Sequence, residues 1–502
     1  MPDIETLGRL IERLSGSGIL ISSDLSEVDI PQSNLDAIYA RVIEKYTNSN
    51  GVSVLDKSTL IGIIDSIVEG KAPIPIEVRQ SSDFKPLAKD VHASFKINPG
   101  NVERAEGNVA SFVTYFRDRI ARIREMIESR RVGMSSGAPQ NIDTLKNFTD
   151  GREVTIIGMI LGMSVTKKGN ILMKIDDETD EAKVMFMNGT SLAAKELYEK
   201  SRTLVNDEVI AITGKISGPF VIAKEILWPD VPIKMKNKSD EDVSIAFISD
   251  LHIGSKLFME KNFTNFIKWL NGEYGTKKEL AGKVKYLIIG GDVVDGIGIY
   301  PNQDRDLAIL DIYEQYRVFT DIIKDVPDYI ETFIIPGNHD AVQRAEPQPA
   351  LTESLLKEFK QNNMHMIPNP SFLTLHNTEV LVYHGTSLDS VISAIPGMSY
   401  AKPELAMLEI LKRRHLSPIY GGNIIVPSKT DNLVIDRVPN ILHMGHIHKN
   451  GMTSYHGVDI INSGTWQDRT EYQIIQGHIP TPGIIQVYET KEQRFSTINF
   501  NK

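Results

Sequence analysis

The chain opens with apolar residues three and four positions apart, Ile4, Leu7, Leu10, Ile11 and Leu14, before Ser15 and Gly16 stop the run. Leu35, Ile38, Tyr39, Val42, Ile43 and Tyr46 repeat that spacing, and Val54–Val68 reads as a shorter apolar helix. The pattern predicts a helical N-terminal module over residues 1–70, built for packing or docking. Pro73, Pro75, Pro86 and Pro99 then fall in a stretch without periodicity between Gly70 and Gly107, as in a linker or a loosely packed extended segment. Within this 71–140 connection an amphipathic helix is predicted at about 111–131, with Phe112, Tyr115, Phe116, Ile120, Ile123 and Ile127 along one side. Arg117, Arg119, Arg122, Arg124, Arg130 and Arg131 are interleaved with Asp118, Glu125 and Glu128, so they read as a solvated face rather than a phosphate-binding one. The run from Gly133 to Gln140 reads as a second linker.

From Val154 to Trp228 the pattern changes to short strands separated by turns such as Lys168-Gly169-Asn170, with a helical interruption from Ser191 to Lys200. This predicts a small OB-like barrel over residues 141–235. Such barrels often bind single strands, but no aromatic platform is visible here, and a structural or partner-binding barrel is the other reading. From about Asp242 onward, apolar strands alternate with helical segments, which predicts an open α/β layer architecture whose strand ends present chemistry, over residues 240–502.

A length of 502 residues calls for two or three domains, and the composition is that of a globular chain. The net charge of -10 gives no support to holding nucleic acid by bulk electrostatics, so any DNA would be held locally or by a partner. With no cysteine, disulfides, thiolate zinc sites and a cysteine nucleophile are excluded. No apolar stretch approaches the roughly 18 residues of a membrane span, and the first residues lack a signal-peptide pattern, so no membrane association and an intracellular, cytoplasmic location are expected.

Chemistry concentrates in five segments: Asp250-Leu251-His252, Gly290-Gly291-Asp292, Gly337-Asn338-His339-Asp340, His384-Gly385 and Gly445-His446-Ile447-His448. Each follows an apolar strand-like run, and together they hold five of the chain's 12 histidines. Singly, each piece is an ordinary turn or loop pair; together and in this order they point to a metal cluster. A phosphodiester is anionic and resists neutral water, whereas two cations about 3.5–4 Å apart neutralise it and yield a hydroxide nucleophile near neutral pH. Such a pair needs a shared ligand, and Asp292 is the candidate bridge. Imidazoles suit Mn, Fe and Zn, and the added carboxylate and amide oxygens favour the harder members, Mn2+ first, with Fe, Zn or Mg as alternatives. A neutral Asn338 limits repulsion of the phosphate. His339 sits beside a ligand without needing to be one, placed to stabilise developing charge or protonate the leaving oxygen.

These segments resemble the calcineurin-like metallophosphoesterases, whose pattern is D-x-H, G-D, G-N-H-D or G-N-H-E, H, and G-H-x-H. The resemblance implies a first metal held by Asp250, His252, Asp292 and His448, a second held by Asp292, Asn338, His384 and His446, and His339 as catalytic acid. It also implies a multidomain α+β chain ending in a two-sheet α/β sandwich with metals at the strand ends. The order of helical module, linker, barrel and phosphoesterase, with the phrases Ile248–Ser255 and Pro336–Asp340, is similar along essentially the whole chain to the small subunits of archaeal family D DNA polymerases. That resemblance implies a 3'→5' exonuclease that removes misincorporated nucleotides from single-stranded DNA or a frayed 3' primer end. It further implies a large polymerase subunit as partner, a sliding clamp reached through the complex, and a nucleoid-associated location. The B subunits of eukaryotic replicative polymerases share barrel and phosphoesterase but have lost metal ligands, which this sequence keeps. A nuclease handed its strand by a partner needs no basic surface of its own. Asp436–Pro439 and Ser463–Gln467 flank the last motif and are candidates for shaping the strand pocket, against ordinary loop packing.

Two rival readings stand beside this one. A phosphomonoesterase or cyclic nucleotide phosphodiesterase would use the same metals, although a small substrate needs neither the barrel nor the helical module. A non-catalytic assembly subunit would keep the metal site for stability alone.

Overall fold

A computed structural model describes residues 84–501 apart from 101, 103–104, 131–137, 353 and 357–360; before residue 84 it describes only 9–11, 13–14, 20–21, 30, 32–47, 54–55, 60–61, 63–64 and 67. The chain forms two compact units, Met1–Asp83 and Phe84–Lys502. In the first, strand β1 (Leu20–Ile21) is followed by helix α1 (Leu35–Thr47), which sends Ile38 and Val42 into a core with Leu10, Leu14, Ile30 and Leu60. The helical reading of Val54–Val68 is corrected at its start, because Val54–Leu55 is strand β2, paired in parallel with β1. A two-residue apolar run fits an extended pair as well as a helix, and periodicity cannot separate them. The expectations at Ile4, Leu7, Ser15, Gly16, Pro73, Pro75, Arg131 and Gly133 lie outside the described residues.

The second unit begins inside the expected linker. Strand β3 (Phe95–Pro99) and helix α2 (Val109–Ser129) come first, the helix capped by the Asn108 side chain accepting from the Ser111 N–H. A closed barrel follows: β4 (Glu153–Val165), β5 (Ile171–Asp176), β6 (Glu181–Phe186), helix α3 (Leu192–Ser201), β7 (Val209–Ser217) and β8 (Phe220–Leu227), joined in the order β4-β5-β6-β8-β7. Ile156, Ile160, Met173, Val184, Ile210 and Ile212 fill it.

The rest is a sandwich. Its strands are β9 (Ser244–Ile248), β10 (Val284–Gly290), β11 (Glu331–Ile335), β12 (Met364–Met366), β13 (Ser371–Leu375), β14 (Thr378–Val382), β15 (Ile441–Met444), β16 (Gly451–Tyr455), β17 (Val458–Asn462), β18 (Ile484–Glu489) and β19 (Arg494–Asn499). They make two six-stranded sheets, ordered β12-β11-β10-β9-β18-β19 and β16-β17-β15-β14-β13-β3. Phe95–Pro99 therefore belongs to a sheet edge, in antiparallel register with β13, rather than to a free linker; its Pro99 marks an edge position, where a missing N–H is tolerated. Along β9, Ile245 and Phe247 face the opposite sheet with Val380, Val382 and Ile441, while Ala246 and Ile248 face helices α4 (Glu260–Leu270), α5 (Lys278–Lys283) and α6 (Ile312–Ile323). On the far side, α7 (Leu388–Ala394) and α8 (Pro403–Arg413) cover Leu381, Leu442 and Met444. Burial on both faces explains why these strands read as unbroken apolar runs, each large side chain contributing about 1.5–3 kcal/mol.

Helix α2 bears out the solvated-face reading at Arg117, whose side chain is 63% exposed, and corrects it at Arg119, Arg122, Arg124 and Arg130. Arg119 is buried, pairs with Asp431 at 2.7 Å, and donates to the carbonyls of Asp207 and Pro418. Arg122 binds Asp436 and Asp118, Arg124 the Ile157 carbonyl, and Arg130 the Pro229 carbonyl. The helix lies in the seam between barrel and sandwich, so the arginines on its inner side meet carbonyls and carboxylates, while Arg117 and Glu125 face water. No helix among the described residues is long and apolar enough to cross a membrane.

Candidate metal centre

Strands from both sheets deliver the predicted residues to one end of the sandwich. Asp250 and His252 follow β9, Asp292 follows β10, Asn338 and His339 follow β11, His384 follows β14, and His446 and His448 follow β15. The turns are unusually tight. Asp250, His252, Asp292, His446 and His448 all hold φ between 51 and 66°, the left-handed region that non-glycine residues seldom adopt. Backbone strain of this kind persists where surrounding structure enforces it, and it gathers at functional sites. The motif glycines have a matching cause: a Cβ on Gly337 would collide with the Asp292 carboxylate, and one on Gly445 with that of Asp250.

Each histidine is fixed through one ring nitrogen, which leaves the other facing inward. His252 Nδ1 binds Asp295 Oδ1 at 2.9 Å, His384 Nδ1 the Gly290 carbonyl at 2.8 Å, His446 Nε2 Asp389 Oδ2 at 2.9 Å, and His339 Nδ1 the Asp295 carbonyl at 2.8 Å. His448 Nδ1 meets Gln473 Nε2 at 3.0 Å. Such outer contacts set the orientation of metal-binding imidazoles. Inward, His252 Nε2 lies 3.8 Å from Asp292 Oδ2 and 3.0 Å from His448 Nε2; His448 Nε2 lies 3.5 Å from Asp250 Oδ1. His384 Nε2 lies 3.3 Å from Asp292 Oδ2 and 3.0 Å from Asn338 Oδ1. Three groups result whose donor atoms lie within 4.8 Å of one another: Asp250 with His252 and His448, His252 with Asp292 and His339, and Asp292 with His384 and His446. Asp292 is common to two of them.

The arrangement suits divalent metal ions. Buried carboxylates and imidazoles converge with lone pairs toward shared points. Burial opposes ionisation of Asp292, yet His384 beside it holds its carboxyl well below the usual range. Burial likewise opposes charging of His384 and His252, but Asp292 carries the first up to about 10, and Asp295 with Asp292 carries the second to about 9. Protons thus occupy places where a cation's charge belongs, so metal binding releases them.

All seven expected ligands and His339 are brought together. The sequence reading missed their supports. Asp295 holds His252 and accepts from Gln303 and Gln467, and Asp340 accepts from the N–H groups of Gly337 and Val293 and from Tyr316. Asp295 carries a faint signal, three residues after Asp292; Asp389 carries none. The flanking segments divide. Thr465 and Gln467 brace Asp250 and Asp295, but Trp466 is buried in an aromatic core 5.1 Å from Phe263, not in a strand pocket. Asp436–Pro439 lies at the opposite strand ends, where Arg437 pairs with Glu379 at the start of β14.

The family of the DNA polymerase alpha/epsilon B subunits matches residues 245–451. The DNA polymerase II small subunit of Methanothermobacter thermautotrophicus is 36% identical over 494 residues, covering 96% of this chain and 98% of that protein. Its namesake in Archaeoglobus fulgidus is 42% identical over 390 residues, 76% of each chain, and that of Thermoplasma acidophilum 35% identical over 486 residues, 96% of this chain and 90% of the other. With identity of this order sustained over nearly the whole of two relatives, the chain belongs to the archaeal DNA polymerase II small subunits, the family D small-subunit family that its motifs resemble.

Proposed function

We propose that this chain is the proofreading 3'→5' exonuclease of an archaeal family D polymerase, hydrolysing DNA phosphodiesters at two divalent cations on a calcineurin-like metallophosphoesterase sandwich. One observation carries the reading: Asp292 stands in reach of His252 on one side and of His384 and His446 on the other, as a bridging carboxylate must. Asp250, His252, Asp292 and His448 would hold one ion, and Asp292, Asn338, His384 and His446 the second. The mix of imidazole, carboxylate and amide oxygen fits Mn2+. Held by these residues, two such ions would supply neutralisation of the phosphodiester's charge and activation of water near neutral pH.

The chain's own groups do the rest. His339 Nδ1 donates to the Asp295 carbonyl, which leaves Nε2 to serve the leaving oxygen. Asp295 and Asp389 keep their imidazoles from turning. The large polymerase subunit, the partner that relatives' names imply, brings the frayed primer end, which is why an acidic chain can act on DNA.

The test is digestion of an end-labelled primer with a mismatched 3' terminus by the Mn2+-loaded two-subunit complex. The wild type shortens the primer from its 3' end, and His339→Ala slows that by about 10²–10⁴-fold with fold and metal content retained. An unchanged rate in the variant would favour the assembly-subunit reading, and no shortening by the wild type would end the nuclease assignment.

A further inference from the structure

Two of the site histidines are gripped from outside by groups that lead to a single surface. Asp389, which holds His446, is faced by Tyr400, whose ring is stacked on His478 with centroids 4.2 Å apart and planes 29° apart. Tyr472 directly precedes Gln473, the residue whose side chain meets His448, and its own ring is 67% exposed. On the other side, Gln473 meets His448 from the short helix α9 (Glu471–Ile475), which a capping box with Thr470 holds in place. No residue of α9 is buried. Tyr472, Ile474, Ile475 and Ile479 are all exposed, Ile475 by 79%. At the head of the segment, Arg469 Nε is buried and has no hydrogen-bond partner among the described residues.

Contiguous apolar exposure marks an interaction face. Tyrosines and isoleucines anchor protein partners as well, so the link of this face to the metal-site histidines decides between protein and nucleotide. Aromatic rings linked through Asp389 and Gln473 to His446 and His448 answer a nucleotide, because bases stack on aromatic faces.

We propose that Tyr400, stacked on His478, and Tyr472 form the platform on which the bases next to the cleaved phosphodiester stack. The inference rests on the nuclease reading above and goes beyond it by naming what the site recognises: an unpaired base, without regard to its identity.

Two strands separate ring from backbone, a single-stranded oligonucleotide and the same strand with abasic residues at its last two 3' positions. The wild-type complex prefers the normal strand by about 5–100-fold in kcat/KM. Tyr472→Ala and Tyr400→Ala bring that ratio toward one, while Tyr400→Phe, which keeps the ring and loses the phenol facing Asp389, holds it. A ratio unaltered in both alanine variants would overturn the platform. A second readout needs no hydrolysis: with Ca2+, fluorescence of a 3'-terminal 2-aminopurine is quenched by the wild type and far less by Tyr472→Ala. If the wild type cleaves neither strand, the nuclease reading falls and the quench alone still decides the platform. Full quench in Tyr472→Ala together with lost co-elution of the large subunit would assign the face to protein contact and overturn the proposal.

Discussion

Arg119, Asp431 and His415 form a buried cluster of charge in which every group is answered from within the chain. Arg119 Nε reaches Asp431 Oδ2 at 2.7 Å and its Nη1 donates to two carbonyls; His415 Nδ1 accepts from the Ser417 N–H, so its Nε2 donates to Asp431 at 2.8 Å. The cluster at the strand ends is equally buried and finished the opposite way. Its imidazoles are fixed from outside by one ring nitrogen each, and their inner atoms face carboxylates, the Asn338 amide oxygen and one another at 3.0–3.9 Å. Burial and charge are therefore common to a joint and to a site. What separates them is whether the lone pairs are used: the closed cluster clamps helix, barrel and sandwich together, and the open one is a socket for cations.

Breaking the open cluster at its centre has the largest expected effect. Asp292→Ala removes the one carboxylate shared by both halves, and exonuclease activity falls on the order of 10³-fold or more, measured on a labelled primer, while circular dichroism remains that of the wild type. Breaking the closed cluster does the reverse. Arg119→Met leaves the buried Asp431 carboxylate without its guanidinium counter-charge, lowering stability by about 3–5 kcal/mol in urea unfolding, with the rate of the folded fraction unchanged.

Acid sharpens the contrast. Burial, then the neighbouring Arg119 charge, hold His415 down at about 4, below its ordinary 6.5. The unfolded chain therefore binds the proton that the folded one refuses, and stability drains away as pH falls from 6.5 through 4, by roughly 3 kcal/mol from this group. Urea midpoints at pH 7 and 4.5 should differ less in His415→Asn than in the wild type; an equal loss would mean the imidazole is not responsible. The smallest effect comes from outside the socket. Asp295→Asn loosens His252 and weakens metal binding by about 10–100-fold, read by calorimetry, without unfolding the sandwich.

Legibility in the sequence followed the same division. The open cluster was readable because metal chemistry requires particular residue types at strand ends, and glycine wherever a carboxylate fills the Cβ position, as at Gly337 and Gly445. Barrel strands announced themselves by short apolar runs and turns. The closed cluster was not readable: Arg119 looks like its neighbours on α2, and only the distant Asp431 and Asp207 make it a buried anchor. Phe95–Pro99 was missed because an edge strand rich in polar residues and proline has the composition of a linker. Asp389 was missed because its bond to His446 spans 57 positions.

Crystals soaked in Mn2+ and measured at the manganese absorption edge test the socket most directly. Two anomalous peaks about 3.5–4 Å apart, one on either side of the Asp292 carboxylate, are the predicted result. A single peak, or none, with the histidines still converged would contradict it.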